Sequence, residues 1–206
     1  MQKNKKLILL TYDFPFGRSE KTFLSYELLK LSENFDSIEI INQKKIFEES
    51  ILNQNLKNIK INTEFSGRLT LTNYFIIFIK YVIFDRIFWS EIGSILFKRK
   101  FFKKLKMCVS EIILSFILFN YFMERKSNLD GLIFYSFWSN HSLISFFRLK
   151  KKLTNSKFVA RALGSDLNGY LENDDYVPFK KIKFLELDKL ILLGDYQKKK
   201  LQNIPL

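Results

Sequence analysis

Three short stretches of this sequence combine residue types that bind polar ligands. They are Tyr12-Asp13-Phe14-Pro15-Phe16-Gly17-Arg18-Ser19-Glu20, Ser136-Phe137-Trp138-Ser139-Asn140-His141 and Arg161-Ala162-Leu163-Gly164-Ser165-Asp166-Leu167. In the first, Phe16 and Gly17 lead to Glu20 and a helical stretch, and a glycine-containing loop at a helix start can offer backbone N–H groups to an anion or a sugar hydroxyl. It matches neither the G-x-G-x-x-G fingerprint nor the phosphate-binding P-loop, which counts against a dinucleotide or a nucleoside triphosphate. The structural alternative is a Pro-Gly turn with Glu20 stabilising the helix start. In the second, Trp138 can stack on a sugar face and Ser139 or Asn140 can bond hydroxyls, or the same residues serve as a buried aromatic followed by a helix cap. His141, the one histidine, is a candidate general base, although a lone histidine in a helix's first turn more often serves structure. In the third, Arg161 and Asp166, separated by the turn at Gly164, supply a cation and an acceptor that either orient a polar ligand or pair with each other.

Each stretch follows a short apolar run, and that placement brings them together. The runs Leu7–Thr11, Ile38–Ile41, Ile59–Ile61, Gly131–Tyr135, Phe158–Arg161 and Leu190–Leu193 alternate with helical segments. This order predicts βαβ units around a mostly parallel, Rossmann-like α/β sheet flanked by helices. Leu24, Leu28, Leu31 and Phe35 at helical spacing after a capping Ser19 mark the first crossover helix. Ser139 or Asn140 caps another helix reaching about Lys152, whose basic end suits the negative pole of the helix dipole. Ligands of such sheets bind beyond the carboxyl ends of the strands, so the three polar loops define one candidate cleft.

From Arg68 to Lys126 the alternation fails and the sequence is helical in character, predicting an insertion of two or three helices. Tyr74–Phe84 is interrupted by Lys80, and Ile112–Met123 falls short of the roughly 20 residues of a spanning helix. Aromatic and aliphatic residues interleaved with Lys98, Arg99, Lys100, Lys103, Lys104 and Lys106 suit an anionic membrane surface. The alternative is that the apolar faces pack on the sheet and the lysines face water. On the membrane reading, charge reversal at Lys103, Lys104 and Lys106 weakens binding to anionic vesicles.

Composition narrows the classes further. With 206 residues, 47% of them apolar, the chain suits one packed α/β domain. Cys108 has no second cysteine to pair with, which fits a reducing, cytoplasmic setting and leaves no thiolate metal site. The apolar run after Lys3, Lys5 and Lys6 is shorter than a secretory h-region and lacks a cleavage site, so it reads as a first strand. A net charge of +13 raises nucleic acid as a partner, but zinc spacing, an RNP-like aromatic motif and a recognition helix are all missing.

The order of the motifs carries a resemblance. Phe14-Pro15-Phe16-Gly17, Glu20, Phe23-Leu24 and Glu27-Leu28, followed by Leu31-Ser32-Glu33-Asn34-Phe35, resemble the opening of family-4 glycosyltransferases of bacterial surface polysaccharide assembly. Phe134-Tyr135-Ser136-Phe137-Trp138-Ser139 is similar to that family's tyrosine–tryptophan strand end, and Arg161 to Leu167 to its R-x-H-G-x-D-L loop, with Leu163 in place of histidine. Leu187–Leu190 through Gly194, with Lys198–Leu201, resembles the last strand and helix before the interdomain linker. The resemblance implies the acceptor-side half of a GT-B enzyme, working without an obligatory metal or other cofactor and with retention of configuration. Its donor would be a nucleotide-sugar and its acceptor a glycan or lipid-linked sugar. Phe16, Gly17, Glu20, Trp138, Ser139, Arg161, Gly164 and Asp166 would shape the substrate cleft, and the helical insertion would hold a lipid-linked acceptor near the membrane, with the protein cytoplasmic or peripheral on the inner face of the cytoplasmic membrane. The donor domain would begin where the sequence reaches Ile204-Pro205-Leu206, so the chain would be either a truncated product or a subunit that needs a separate donor-domain polypeptide for transfer. The alternative is a non-catalytic module that binds membrane or glycan.

Overall fold

The structure is a computed structural model that describes residues 5–18, 20–44, 57–168, 174 and 176–202. Ser19, the expected cap of the first helix, lies outside these. The chain runs β1 (Lys6–Thr11), α1 (Lys21–Asn34), β2 (Ser37–Asn42), β3 (Ile59–Asn62), α2 (Glu64–Gly67) and α3 (Leu71–Ile77), which continues as a π-helical turn, Phe78–Val82. Then come α4 (Arg86–Ile95), α5 (Phe101–Glu124), β4 (Ile133–Ser136), α6 (His141–Lys150), β5 (Lys157–Ala162), α7 (Gly164–Asn168), α8 (Lys180–Leu185), β6 (Lys189–Leu192) and α9 (Asp195–Gln202).

All six expected strands form, every pairing is parallel, and the order across the sheet is β3-β2-β1-β4-β5-β6. This is a Rossmann-like α/β fold in which the direction of winding reverses between β1 and β4. Parallel strands covered on both faces read as continuous apolar runs, and period-two alternation divides each run between two cores. Leu7, Leu9, Ile38, Ile40 and Tyr135 pack with Leu24 and Leu28 of α1 on one face. Ile8, Leu10, Phe134 and Phe158 pack with α5 and α6 on the other. There Phe134 stacks on Phe158 at 5.0 Å and meets Phe122 edge-on at 5.2 Å. Burying each such ring contributes about 1.5–3 kcal/mol, so the phenylalanines of this face build the core and offer no platform for bases.

The insertion resolves into α3 with its π turn, α4 and α5. At 24 residues α5 is long enough to span a bilayer, longer than the apolar run Ile112–Met123 indicated. It nonetheless serves as a core helix, with Ile112, Leu118, Tyr121 and Phe122 fully buried. Side-chain clasps bind the insertion to the sheet. Asp85 caps α4 through Phe88 N at 2.8 Å and accepts a 2.8 Å bond from Arg148 of α6. Arg125, just past α5, donates two bonds to Glu39 of β2. Lys104 departs from the expectation of a lipid-facing cation, being 4% exposed and paired with Asp174 at 3.3 Å.

Candidate functional site

The loop after β1 is organised around one buried carboxylate. Glu20, at the N-cap position of α1, makes no cap bond. Its side chain turns back and accepts from the backbone N–H groups of Tyr12, Asp13 and Phe14 at 2.8–2.9 Å, and from the indole N–H of Trp138. Burial pushes the Glu20 pKa above the ordinary carboxylate value, against the opposing pull of these donors. Phe16 N and Gly17 N both donate to Asp13 O. The N–H groups of Tyr12, Asp13, Phe14, Phe16 and Gly17 are thereby engaged within the protein, and Glu20 occupies the place an anionic ligand would take. Gly17 is required by crowding, since a Cβ there would lie 2.3 Å from Asp13 Oδ2.

The bond from Trp138 to Glu20 joins the loops after β1 and β4 at the point where winding reverses. Asn140 accepts from Ser142 N at 3.0 Å and so caps α6, one of the two capping choices the sequence allowed. Ser139 Oγ donates to Arg161 O at 2.8 Å, tying the β4 loop to the end of β5. Arg161 and Asp166 do not pair. The Arg161 guanidinium donates to Glu27 of α1 at 3.1 Å and stacks over Phe137, on the α1 face. Asp166 Oδ2 accepts from Leu163 N at 2.8 Å, and burial raises its pKa against this bond and one from the Ser139 backbone. Gly164 starts α7 with open space where a Cβ would stand.

Beyond these loops, at the carboxyl ends of the strands, opens a cleft of about 470 Å³. Tyr12, Trp138, Asn140, His141 and Asp166 line it, together with Gln43 and Lys44 after β2 and with Tyr74, Glu111 and Leu114 of the insertion. Of the residues singled out in the sequence, Trp138, Asn140, His141 and Asp166 line this cleft. Glu20, Ser139 and Arg161 brace it from behind, and Phe16, Gly17 and Gly164 shape the loops around it. Sequence reasoning assigns no role of its own to Tyr12, which opens the first polar stretch, and does not single out Gln43 or Glu111. Glu111 arrives on α5 through tertiary packing that no local pattern announces.

His141 is 6% exposed, and its Nε2 has no hydrogen-bond partner. Burial, reinforced by the positive charge of Lys183, lowers its pKa to about 3. The imidazole is therefore neutral at physiological pH and a weak proton acceptor, better suited to a hydrogen bond than to general-base catalysis. Lys183, 2% exposed, is held by Glu111 at 2.9 Å. Among the described residues no group of three or more His, Cys, Asp or Glu side chains is placed to hold a metal ion. Neither a family model nor a curated protein sequence matches the chain.

Proposed function

We propose that the carboxyl-edge cleft binds the sugar acceptor of a glycosyl transfer, and that this domain is the acceptor side of a GT-B glycosyltransferase. The observation that carries the reading is the lining of the cleft at the reversal point of the sheet, where aromatic surface meets neutral hydrogen-bonding groups. Tyr12 and Trp138 supply apolar faces for a sugar ring, while Gln43 and Asn140, which bond each other at 3.2 Å, would turn their remaining amide groups to its hydroxyls. The charges at its wall, Lys44 against Glu111 and Asp166, do not converge on a phosphate. A neutral polyol fits this chemistry better than a nucleotide does. The nucleotide-sugar would be held by a second domain, on this or another polypeptide, that faces the cleft.

Saturation-transfer NMR with free monosaccharides, short glycans and nucleotide-sugars tests the reading. Saccharide signals that weaken in Tyr12→Ala are expected. Absence of saccharide binding at concentrations on the order of millimolar, where weak single-site contacts still register, would sink it. A binding module without catalysis is the second reading, favoured by the low pKa of His141 and the engagement of Asp166 by backbone N–H groups. Sugar transfer upon addition of a donor domain separates the two.

A further inference from the structure

The helical insertion carries apolar side chains on the face turned away from the protein as well as on the face that packs against it. In α4 the inward residues are Phe88, Ile92 and Ile95, all buried, as expected of a surface helix. The opposite side exposes Arg86, Ser90, Gly93 and Ser94, with Trp89 among them and Leu96 just beyond. Leu71, Phe75 and Ile79, four residues apart along α3 and its π turn, form an exposed apolar row. Among the described residues the four most exposed large apolar side chains, Leu71, Phe84, Phe97 and Phe102, all belong to this insertion, with Phe97 at 97%. An exposed apolar surface of this extent needs a second covering surface.

Charge identifies what covers it. Residues 68–126 hold eleven Lys and Arg against four Asp and Glu. At the corner between α4 and α5 the cations interleave with the exposed rings, as Phe97-Lys98-Arg99-Lys100-Phe101-Phe102-Lys103, with Lys106 one turn further on. Lys100 and Lys104 turn toward Asp174, but Lys98, Arg99 and Lys106 are exposed beside Phe97 and Phe102. Rings that enter the headgroup boundary, flanked by cations that meet lipid phosphates, are the pattern of an interfacial anchor. A second copy of the chain would bring like charges together at the same corner, which opposes self-association.

We propose that the outer edge of the insertion, centred on the Leu96–Phe102 corner, seats the protein on an anionic lipid surface. The inference does not rest on the saccharide reading. It is tested by flotation of the full chain with vesicles of phosphatidylcholine alone and of phosphatidylcholine mixed with phosphatidylglycerol. Binding to the mixed vesicles that weakens as salt rises is expected, with a loss of about tenfold or more in either Phe97→Ser/Phe102→Ser or Lys98→Glu/Arg99→Glu. These side chains are exposed, so thermal unfolding should match that of the parent chain, and a Trp138→Phe variant leaves Trp89 to report insertion through a blue-shifted emission. Failure of the parent chain to bind, equal binding to neutral vesicles, or unchanged binding by both double variants would overturn the proposal. So would self-association that the phenylalanine variant relieves without any lipid binding.

Discussion

Two clefts of nearly equal size lie at opposite edges of the sheet, about 470 Å³ at the carboxyl edge and about 460 Å³ at the amino edge. Both hold polar groups bonded within the protein, and their linings differ in aromatic surface. At the amino edge Asp36 and the Lys5 backbone exchange hydrogen bonds, Glu39 is held by Arg125 and Asn62, and Asn58 caps the end of α1 through Ser32 O and Phe35 O. Those groups close the junctions between β2, β3 and α5. At the carboxyl edge Gln43 Oε1 accepts from Asn140 and Ser142, Asn140 caps α6 and Asp166 accepts from Leu163 N, with further bonds behind the cleft through Glu20, Ser139 and Arg161, while Tyr12 stays exposed and His141 Nε2 is buried without a partner. Neither volume nor hydrogen bonding distinguishes the two clefts, but aromatic surface does, with Tyr12, Tyr74 and Trp138 at the carboxyl edge and, among the described residues, no aromatic side chain lining the amino-edge cleft.

The largest expected effect tests the layer behind the carboxyl-edge cleft. Glu20→Ala strands three backbone N–H groups and the Trp138 indole, and should lower the unfolding free energy by about 3–5 kcal/mol in urea titration. A loss below about 1 kcal/mol would mean that Glu20 does not organise the loop. At the amino edge Arg125→Ala should cost about 1–2 kcal/mol, discounted for partial exposure, and leave saccharide binding unchanged. If that variant abolished saccharide binding, the division of roles between the two clefts would fail. Tyr12→Ala should do the reverse, weakening saccharide binding about tenfold with stability altered by less than about 0.5 kcal/mol.

The smallest effect concerns pH. His141 has its pKa lowered in the folded state, so the unfolded chain takes up that proton first, and stability is lost as pH falls below the unfolded value toward about 3. Between about pH 7 and pH 5.5 the parent chain should lose about 1 kcal/mol more than His141→Gln. Glu20 and Asp166, whose raised values act in the opposite sense, are common to both proteins and cancel in the difference. Equal pH slopes would show that His141 is not buried as a neutral group.

The strands were legible because two-sided burial writes itself into sequence as short apolar runs, and all six appear within two residues of their expected bounds. The cap at Asn140 was legible for a similarly local reason. Partners set by tertiary packing were not. Arg161 and Asp166 look like a pair across one loop, yet Glu27, which lies 134 residues away in the chain, takes the guanidinium. Lys104 sits in a run of cations, but its turn of α5 faces Asp174 and the core. Glu20 read as a helix-start acid or a cleft residue, because nothing local shows that its side chain folds back over its own loop.

The two tryptophans, Trp138 at the cleft and Trp89 on the insertion, allow the central claim to be read at a single residue. In a Trp89→Phe variant all tryptophan emission comes from Trp138, and titration with monosaccharides and short glycans reports directly on the carboxyl-edge cleft. A saturable change in that emission, weakened by Tyr12→Ala and unaffected by Arg125→Ala, is the predicted result. Emission that stays constant across the saccharide series, or a response that survives Tyr12→Ala and disappears with Arg125→Ala, would contradict the assignment of the cleft.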